Sequence, residues 1–451
     1  MSLLIKNGKV CLSDRVEKTD ILIEQGKIAA IGHFKENAAN QTIDAAHQYI
    51  LPGLIDFHVH LDDQMGHYYL ADTYKSGSHV AIQNGITTIV SFITQYPSYQ
   101  TLTDAVKAAY HKANNNLYCD LTWHLTPRDW SEQGWQELDG FLSRGFKTLK
   151  LYTTYRPAGI YPDYRTIEAV LKAAKVRNIR VLIHCEDDAD LQQEAKQIVN
   201  LKKAYSITKL RPKNAEVDAI KRIVEIAIRL QAPVHFVHVS TVEVAQIILQ
   251  AKKHAPVSCE TCPQYLFFNE SLLKEKESHR YLCTPPFRDE ANQLRLNHLA
   301  QKNFFDLFAT DHCAFLKKDK DEYQENFLKV PNGLPGLGAL LPMINELFKS
   351  LLPDYRARKI AYYLSEAPAK LAGLYSRKGC IKKGADADLV LLNFDGDLRK
   401  IQSTVSDVYD PYSHFDTSLH IKNMLLSGEI VVRDNQLVDS NKLSGKCLCQ
   451  I

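Results

Sequence analysis

His58-Val59-His60 closes the apolar run Ile50-Leu51-Pro52-Gly53-Leu54-Ile55-Asp56-Phe57. Alternate residues of a strand point the same way, so both imidazoles project from one strand end toward a single point, the geometry of paired metal ligands. A histidine pair alone also fits an ordinary surface strand, because imidazole becomes a ligand only when partners converge on it. Partners are present downstream. Ile179-Arg180-Val181-Leu182-Ile183 ends in His184, Val234-His235-Phe236-Val237 ends in His238, and Phe304-Phe305-Asp306-Leu307-Phe308-Ala309-Thr310 ends in Asp311. Four apolar runs that each end in a ligand-type side chain point to a strand-based metal centre. Lys150, in Thr148-Leu149-Lys150-Leu151-Tyr152-Thr153-Thr154-Tyr155, reads without the histidines as an ordinary snorkelling lysine. With them the electrostatics change: an ammonium is repelled by divalent cations, whereas lysine that has reacted with CO2 carries an anionic carbamate whose two oxygens can bridge two ions. Two cations contribute about +4, and carbamate, Asp311 and a bridging hydroxide bring the cluster to about +1, against about +3 with an ammonium in a partly buried pocket.

The elements that must carry these residues alternate in type. Strand-like segments at 54–60, 86–92, 118–124, 147–152, 180–184, 234–238, 257–260 and 304–310 are separated by stretches that include helix-like runs at 104–113, 164–176, 218–230 and 242–254. Eight strands interleaved with helices predict an α/β fold, a (β/α)8 TIM-type barrel, whose sites sit at the C-terminal strand ends. The ligand candidates fall at the ends of strands one, five, six and eight, with Lys150 on strand four. Insertions at 185–215 and 261–303 and the loop 313–335 are expected over the same face. Both ends of the chain are β-rich and neither is long enough for a stable sheet alone. They are expected to pack as a small composite β-sandwich domain, 1–51 with 376–440, beside a barrel of 52–375, leaving 441–451 as a tail.

Composition narrows the partners. The 451 residues are 45% hydrophobic, enough for a full core, and 55 basic against 52 acidic side chains give a net charge of +3. That balance gives no reason to expect a nucleic acid or a membrane surface. Met1-Ser2-Leu3-Leu4-Ile5-Lys6 alternates like a first strand and lacks the apolar region of a signal peptide, and no run reaches the roughly 18 apolar residues of a spanning helix. A cytoplasmic location is expected. Ten cysteines fall short of a disulfide scaffold and read as reduced thiols. Cys259-Glu260-Thr261-Cys262 matches C-x-x-C but has no second pair to close a zinc site, and reads as structural.

The set His58-Val59-His60, Lys150, His184, His238 and Asp311, led by Pro52-Gly53-Leu54-Ile55-Asp56 and followed by Gly384-Ala385-Asp386-Ala387-Asp388-Leu389, resembles the amidohydrolase superfamily. Within it the chain looks like the cyclic amidohydrolases of the dihydropyrimidinase/hydantoinase branch. The resemblance spans roughly 1–435 and includes Glu260-Thr261-Cys262-Pro263-Gln264-Tyr265-Leu266, Thr284-Pro285-Pro286-Phe287-Arg288, Thr310-Asp311-His312-Cys313 and Pro331-Asn332-Gly333 in order. It implies hydrolysis of a cyclic amide bond in a neutral five- or six-membered ureide ring by a hydroxide bridging two divalent metal ions. Zinc is the expected metal, and the ligand set also accepts manganese or cobalt. His58 and His60 would hold the more buried ion and His184 and His238 the more exposed one. Carbamylated Lys150 would bridge them, and Asp311 would bind the first and act as general base. Tyr155 would donate to the developing oxyanion. Thr284 and Asn332 match positions where the family holds the cyclic amide with main-chain groups. The resemblance also implies a homotetramer or homodimer.

The chain departs from the family at Thr284, where serine is commoner, and at Leu61-Asp62-Asp63-Gln64 and Thr153-Thr154, so the ring substituent stays open while the reaction class does not. Allantoinase and dihydroorotase share the cluster. A non-catalytic scaffold relative is the reading from another class, and competent residues at all six ligand positions oppose it. The dihydroorotase branch resembles H-x-H-x-R, with an arginine for the substrate carboxylate. Asp62 stands at that place here, so a like charge is expected to disfavour dihydroorotate.

Overall fold

The computed structural model describes residues 2–198 and 202–450; Met1 of the first strand-like segment, residues 199–201 of the 185–215 insertion and Ile451 of the tail lie outside the described residues. Eight strands run in parallel: β1 (Leu54–Val59), β2 (Ile86–Thr94), β3 (Asp120–Thr126), β4 (Thr148–Tyr152), β5 (Arg180–His184), β6 (Val234–Phe236), β7 (Val257–Thr261) and β8 (Leu307–Phe308), each hydrogen-bonded to the next. The ring closes differently from the way it is built. Val59 bridges His312, the His60 N–H donates to the His312 carbonyl at 2.7 Å, and the Asp56 carboxylate accepts from Thr310 N (3.1 Å) and Oγ1 (2.6 Å). These contacts draw the end of β8 onto the end of β1, where the first histidine pair lies.

Helices cover the outside, as a parallel sheet buried on both faces requires. Tyr164–Val176 is representative. Asp163 caps it by accepting from Thr166 N at 2.8 Å, and Ile167, Val170, Leu171 and Ala174 form one buried stripe at the helical period. Two expected strands end early: 234–238 stops at Phe236, and 304–310 contracts to Leu307–Phe308. Just beyond both strand ends the backbone turns left-handed, at His238 (φ 38°) and Asp311 (φ 51°), a conformation that no strand continues through.

The two ends of the chain contribute to one nine-stranded sheet. Tyr49–Pro52 from one end pairs antiparallel with Leu389–Asn393 from the other, and Ile5, Ile21, Ile28 and Ile50 share a small core with Leu389, Leu391 and Leu425. Tyr49–Pro52 passes through Gly53 straight into β1. A Cβ at Gly53 would lie 2.2 Å from Thr87 Oγ1, so the link tolerates no side chain. Sheet and barrel are also clamped electrostatically. Lys378, 2% exposed, pairs with Asp120 at the start of β3 (2.7 Å), with Asp388 and with Asp386 (3.5 Å).

One further segment completes the barrel wall. β3 pairs with β4 only at Leu125 and Leu149. Beside the first half of β3 the place of β4 is taken by residues 445–450: Leu121 N–H donates to the Lys446 carbonyl (2.9 Å), Leu448 N–H donates to the Leu121 carbonyl (2.8 Å), and the Cys449 thiol lies 3.0 Å from Thr122 Oγ1. Among the described residues no helix is long and apolar enough to cross a membrane.

Replacing Lys378 with Ala strands buried carboxylates without their cation. Removal of one partner of a buried pair costs roughly 3–5 kcal/mol, so Lys378→Ala is expected to lower the guanidinium unfolding midpoint markedly. An unchanged midpoint would show that the clamp contributes nothing.

Candidate active site

The six ligand candidates meet at the mouth of the barrel and line one cavity of about 850 Å3. His58 lies in β1 and His60 just beyond it, on the same side by strand alternation. Their Nε2 atoms stand 3.1 and 3.5 Å from Asp311 Oδ1, and one ligand atom from each of the three lies within 4.8 Å of the others. His184, the last residue of β5, points Nδ1 at His238 Nε2, 2.9 Å away. The His58 and His238 rings are 5.6 Å apart, so the two sets adjoin. Lys150, in β4, is 1% exposed; its Nζ lies over the Phe92 and Tyr152 rings at 5.4 and 5.2 Å and makes no hydrogen bond or ion pair among the described residues.

Charge and tautomer are set from behind. Glu260 Oε1 accepts from His58 Nδ1 at 2.5 Å and Oε2 accepts from His235 Nε2 at 3.0 Å. Because a carboxylate only accepts, His58 carries its proton on Nδ1 and leaves Nε2 for a ligand. Glu186 Oε2 does the same for His184, accepting from Nε2 at 2.7 Å and leaving Nδ1 free. Burial lowers the pKa of His60 to about 4 and holds His184 and His238 below the usual histidine value, so these rings are neutral. Burial raises the pKa of Asp311, but the His58 and His60 imidazoles beside it outweigh burial and keep the carboxyl well below the usual range. Burial lowers the His58 pKa, but Asp311 and Glu260 in turn raise it above the usual histidine value, so a proton on Nε2 must leave before a cation binds there. Burial lowers Lys150 to about 8. Neutral imidazoles at His60, His184 and His238, an ionised carboxylate and two nitrogens 2.9 Å apart that face each other fit divalent cations. His238 Nδ1 is buried and makes no hydrogen bond.

The remaining predicted residues divide. Tyr155, at φ 68°, directs its hydroxyl to Thr284 Oγ1 at 2.8 Å, and both line the cavity. Thr284 thus engages through its side chain, which its match to a main-chain position did not suggest. Asn332 lines the cavity with Oδ1 buried and unpartnered. Asp62 and Asp63 do not line it: Asp62 accepts from Tyr74 N (3.1 Å) and faces Lys112 (3.6 Å), while Asp63 accepts from Tyr96 Oη (3.2 Å). Asp62, at φ 55°, and Asp63 lie outside the cavity wall, so the like-charge argument built on them against dihydroorotate is corrected: no arginine lines the cavity, and the carboxylates that do are Asp311 and Glu322. Glu260, Glu186 and Asp56 are positioning groups that the sequence reading missed. Asp56 and Glu186 lie two residues from a ligand histidine, a spacing that carries the signal.

Residues 49–431 match the Amidohydrolase family. A D-hydantoinase of Ralstonia pickettii is 30% identical over 451 residues, covering 97% of this chain and 96% of that protein. The crystal structure of a D-hydantoinase (dihydropyrimidinase) from Thermus sp. superposes with a TM-score of 0.92 at 27% identity, covering 99% of each chain. A dihydropyrimidinase from Brevibacillus agri superposes with a TM-score of 0.91 at 28% identity over 97% of this chain and 96% of that one.

Glu260→Gln removes the charge that fixes the His58 proton. Metal affinity is expected to fall about 10–100-fold, measured by competition with a chelator. Wild-type affinity in the variant would mean that Glu260 does not set the tautomer.

Proposed function

The chain belongs to the amidohydrolase family, and we propose that it opens a neutral cyclic ureide, a dihydropyrimidine or hydantoin, by hydrolysing a ring amide bond with two divalent metal ions bound. His58, His60 and Asp311 would hold one ion and His184 and His238 the other. Zinc is the proposed metal, with manganese or cobalt suited to the same ligands. Lys150 would bridge them as a carbamate, formed when the neutral amine adds to CO2 and releases a proton. The observation that carries this reading is Lys150 itself: a buried amine with no polar partner, on the wall shared by both ligand sets, its pKa lowered by burial to about 8. The D-hydantoinase and dihydropyrimidinase relatives support the substrate class.

Metal ions in such a site supply Lewis acidity, polarising a carbonyl and bringing bound water toward a pKa near ~7. The protein's groups do the rest. Asp311, kept ionised, accepts the proton of the attacking water and delivers it to the departing ring nitrogen, which would otherwise leave as an anion. Tyr155 keeps its phenolic proton, since burial raises its pKa to about 12, and donates it as a hydrogen bond to the oxygen that gains charge. Thr284 and Asn332, which line the same cavity, would hold the ring amide.

A panel of dihydrouracil, dihydrothymine, hydantoin, allantoin and dihydroorotate, assayed with metal-loaded protein, tests the reading. The neutral dihydropyrimidines and hydantoins are expected to be opened fastest, because dihydroorotate brings a carboxylate to a cavity without an arginine to receive it. Faster turnover of dihydroorotate than of both neutral classes would overturn the substrate assignment.

Variants test the roles. Lys150→Ala is expected to lose activity and metal together, with partial recovery on adding a short carboxylic acid; full metal content and near-normal turnover would exclude a bridge. Asp311→Asn is expected to lose several orders of magnitude in kcat, and Tyr155→Phe roughly 10²–10³-fold. Equal, small losses would mean that both roles are misassigned.

A further inference from the structure

We infer that Arg211 is a positioning residue for this reaction, holding the Tyr155 ring and the His184 imidazole in one fixed arrangement; the inference rests on the roles proposed above for those two side chains. Arg211 follows the short helix Ile207–Leu210, and its side chain is 12% exposed. Its guanidinium does two things at once. One Nη pairs with Glu186 Oε2, the oxygen that also accepts from His184 Nε2, and Cζ lies 5.3 Å from the centre of the Tyr155 ring. Glu186 Oε1 is buried and makes no hydrogen bond, so Arg211 is the cation that balances this carboxylate.

Neither end of the arrangement is fixed by its own backbone alone. Tyr155 sits at φ 68° beyond β4, and its ring is held from three sides: Arg211, Tyr152 (5.6 Å) and His184 (5.1 Å). Arg211 is in turn anchored away from the cavity. Arg288 donates to its carbonyl at 2.7 Å and is itself bound to Glu216 (3.2 Å) and Ser240 Oγ (3.1 Å). The guanidinium is therefore a fixed wall against which the phenol and the imidazole are both set. Only arginine suits the place. Its planar fork bonds a carboxylate through its edge while its face lies on an aromatic ring, and a lysine can balance the charge without doing both.

The test uses metal-loaded full-length protein and a neutral ring that the wild type opens. The variants are Arg211→Lys, Arg211→Ala, Tyr155→Phe and the double variants, and the readouts are kcat, KM, bound metal and thermal midpoint. Arg211→Lys and Arg211→Ala are expected to lose about 10–100-fold in kcat with KM little changed. The loss should shrink several-fold in the Tyr155→Phe background, because the orientation of the phenol no longer matters there. Added guanidinium should restore part of the Arg211→Ala activity. If Arg211→Ala does not fold, Arg211→Lys carries the test alone. A kcat within about twofold of wild type, or the same fold loss with and without the Tyr155 hydroxyl, would overturn the inference. A wild-type enzyme that opens none of the rings overturns the proposed function instead, is seen before any variant is made, and takes this inference with it.

Discussion

An imidazole binds a cation only through a nitrogen that carries no proton, so a histidine is set as a ligand when its other ring nitrogen is committed elsewhere, as it is at His58 and His184. The layer beneath the cavity is built around that need. Glu260 accepts hydrogen bonds from His58 and His235 on its two oxygens, and Glu186 accepts one from His184. Each carboxylate is itself buried and therefore requires compensation, which the histidines supply at Glu260 and Arg211 supplies at Glu186. The barrel lip is consequently not a greasy ring carrying a few polar ends. It is a layered polar network in which the buried carboxylates Glu260 and Glu186 are each answered by neighbouring donors.

Much of this was legible in the sequence, for identifiable reasons. The helix at 164–176 was read with its observed bounds because its apolar residues recur at the helical period behind a capping aspartate. The eight barrel strands were visible as apolar segments alternating with helical ones, and the candidate ligands His60, His184, His238 and Asp311 because four of those runs end abruptly in histidine or aspartate. What the sequence concealed is local backbone geometry. A run such as Val234-His235-Phe236-Val237-His238 looks continuous, yet its last residue turns to φ 38° and leaves the strand. Asp62 is left-handed too, and only glycine advertises that conformation in a sequence. Glu260 was hidden inside a C-x-x-C match, where its cysteine neighbours, both buried free thiols, drew the attention.

The two parts of the fold are joined at the point where precision matters. Tyr49–Pro52 belongs to the terminal sheet, and one residue later the chain is already in β1, the strand that carries His58. Gly53 donates to the Asp388 carbonyl at 2.7 Å, and Asp388 shares Lys378 with Asp120 of β3. The entry to β1 and the start of β3 are thus tied to one buried cation. The terminal sheet is joined directly to the strand that carries His58.

The segment that lies along the first half of β3 has another meaning. A barrel escapes edge-to-edge association because it has no free edge, and this one would have one at Leu121, where β4 does not reach. Lys446 and Leu448 occupy both backbone hydrogen-bonding groups of Leu121 that would otherwise face outward. A chain cut short of residue 445 would carry a short unpaired strand edge beside Trp123 and Phe146, a template on which a second chain can build. The segment therefore closes a backbone edge that would otherwise be open to pairing with another strand.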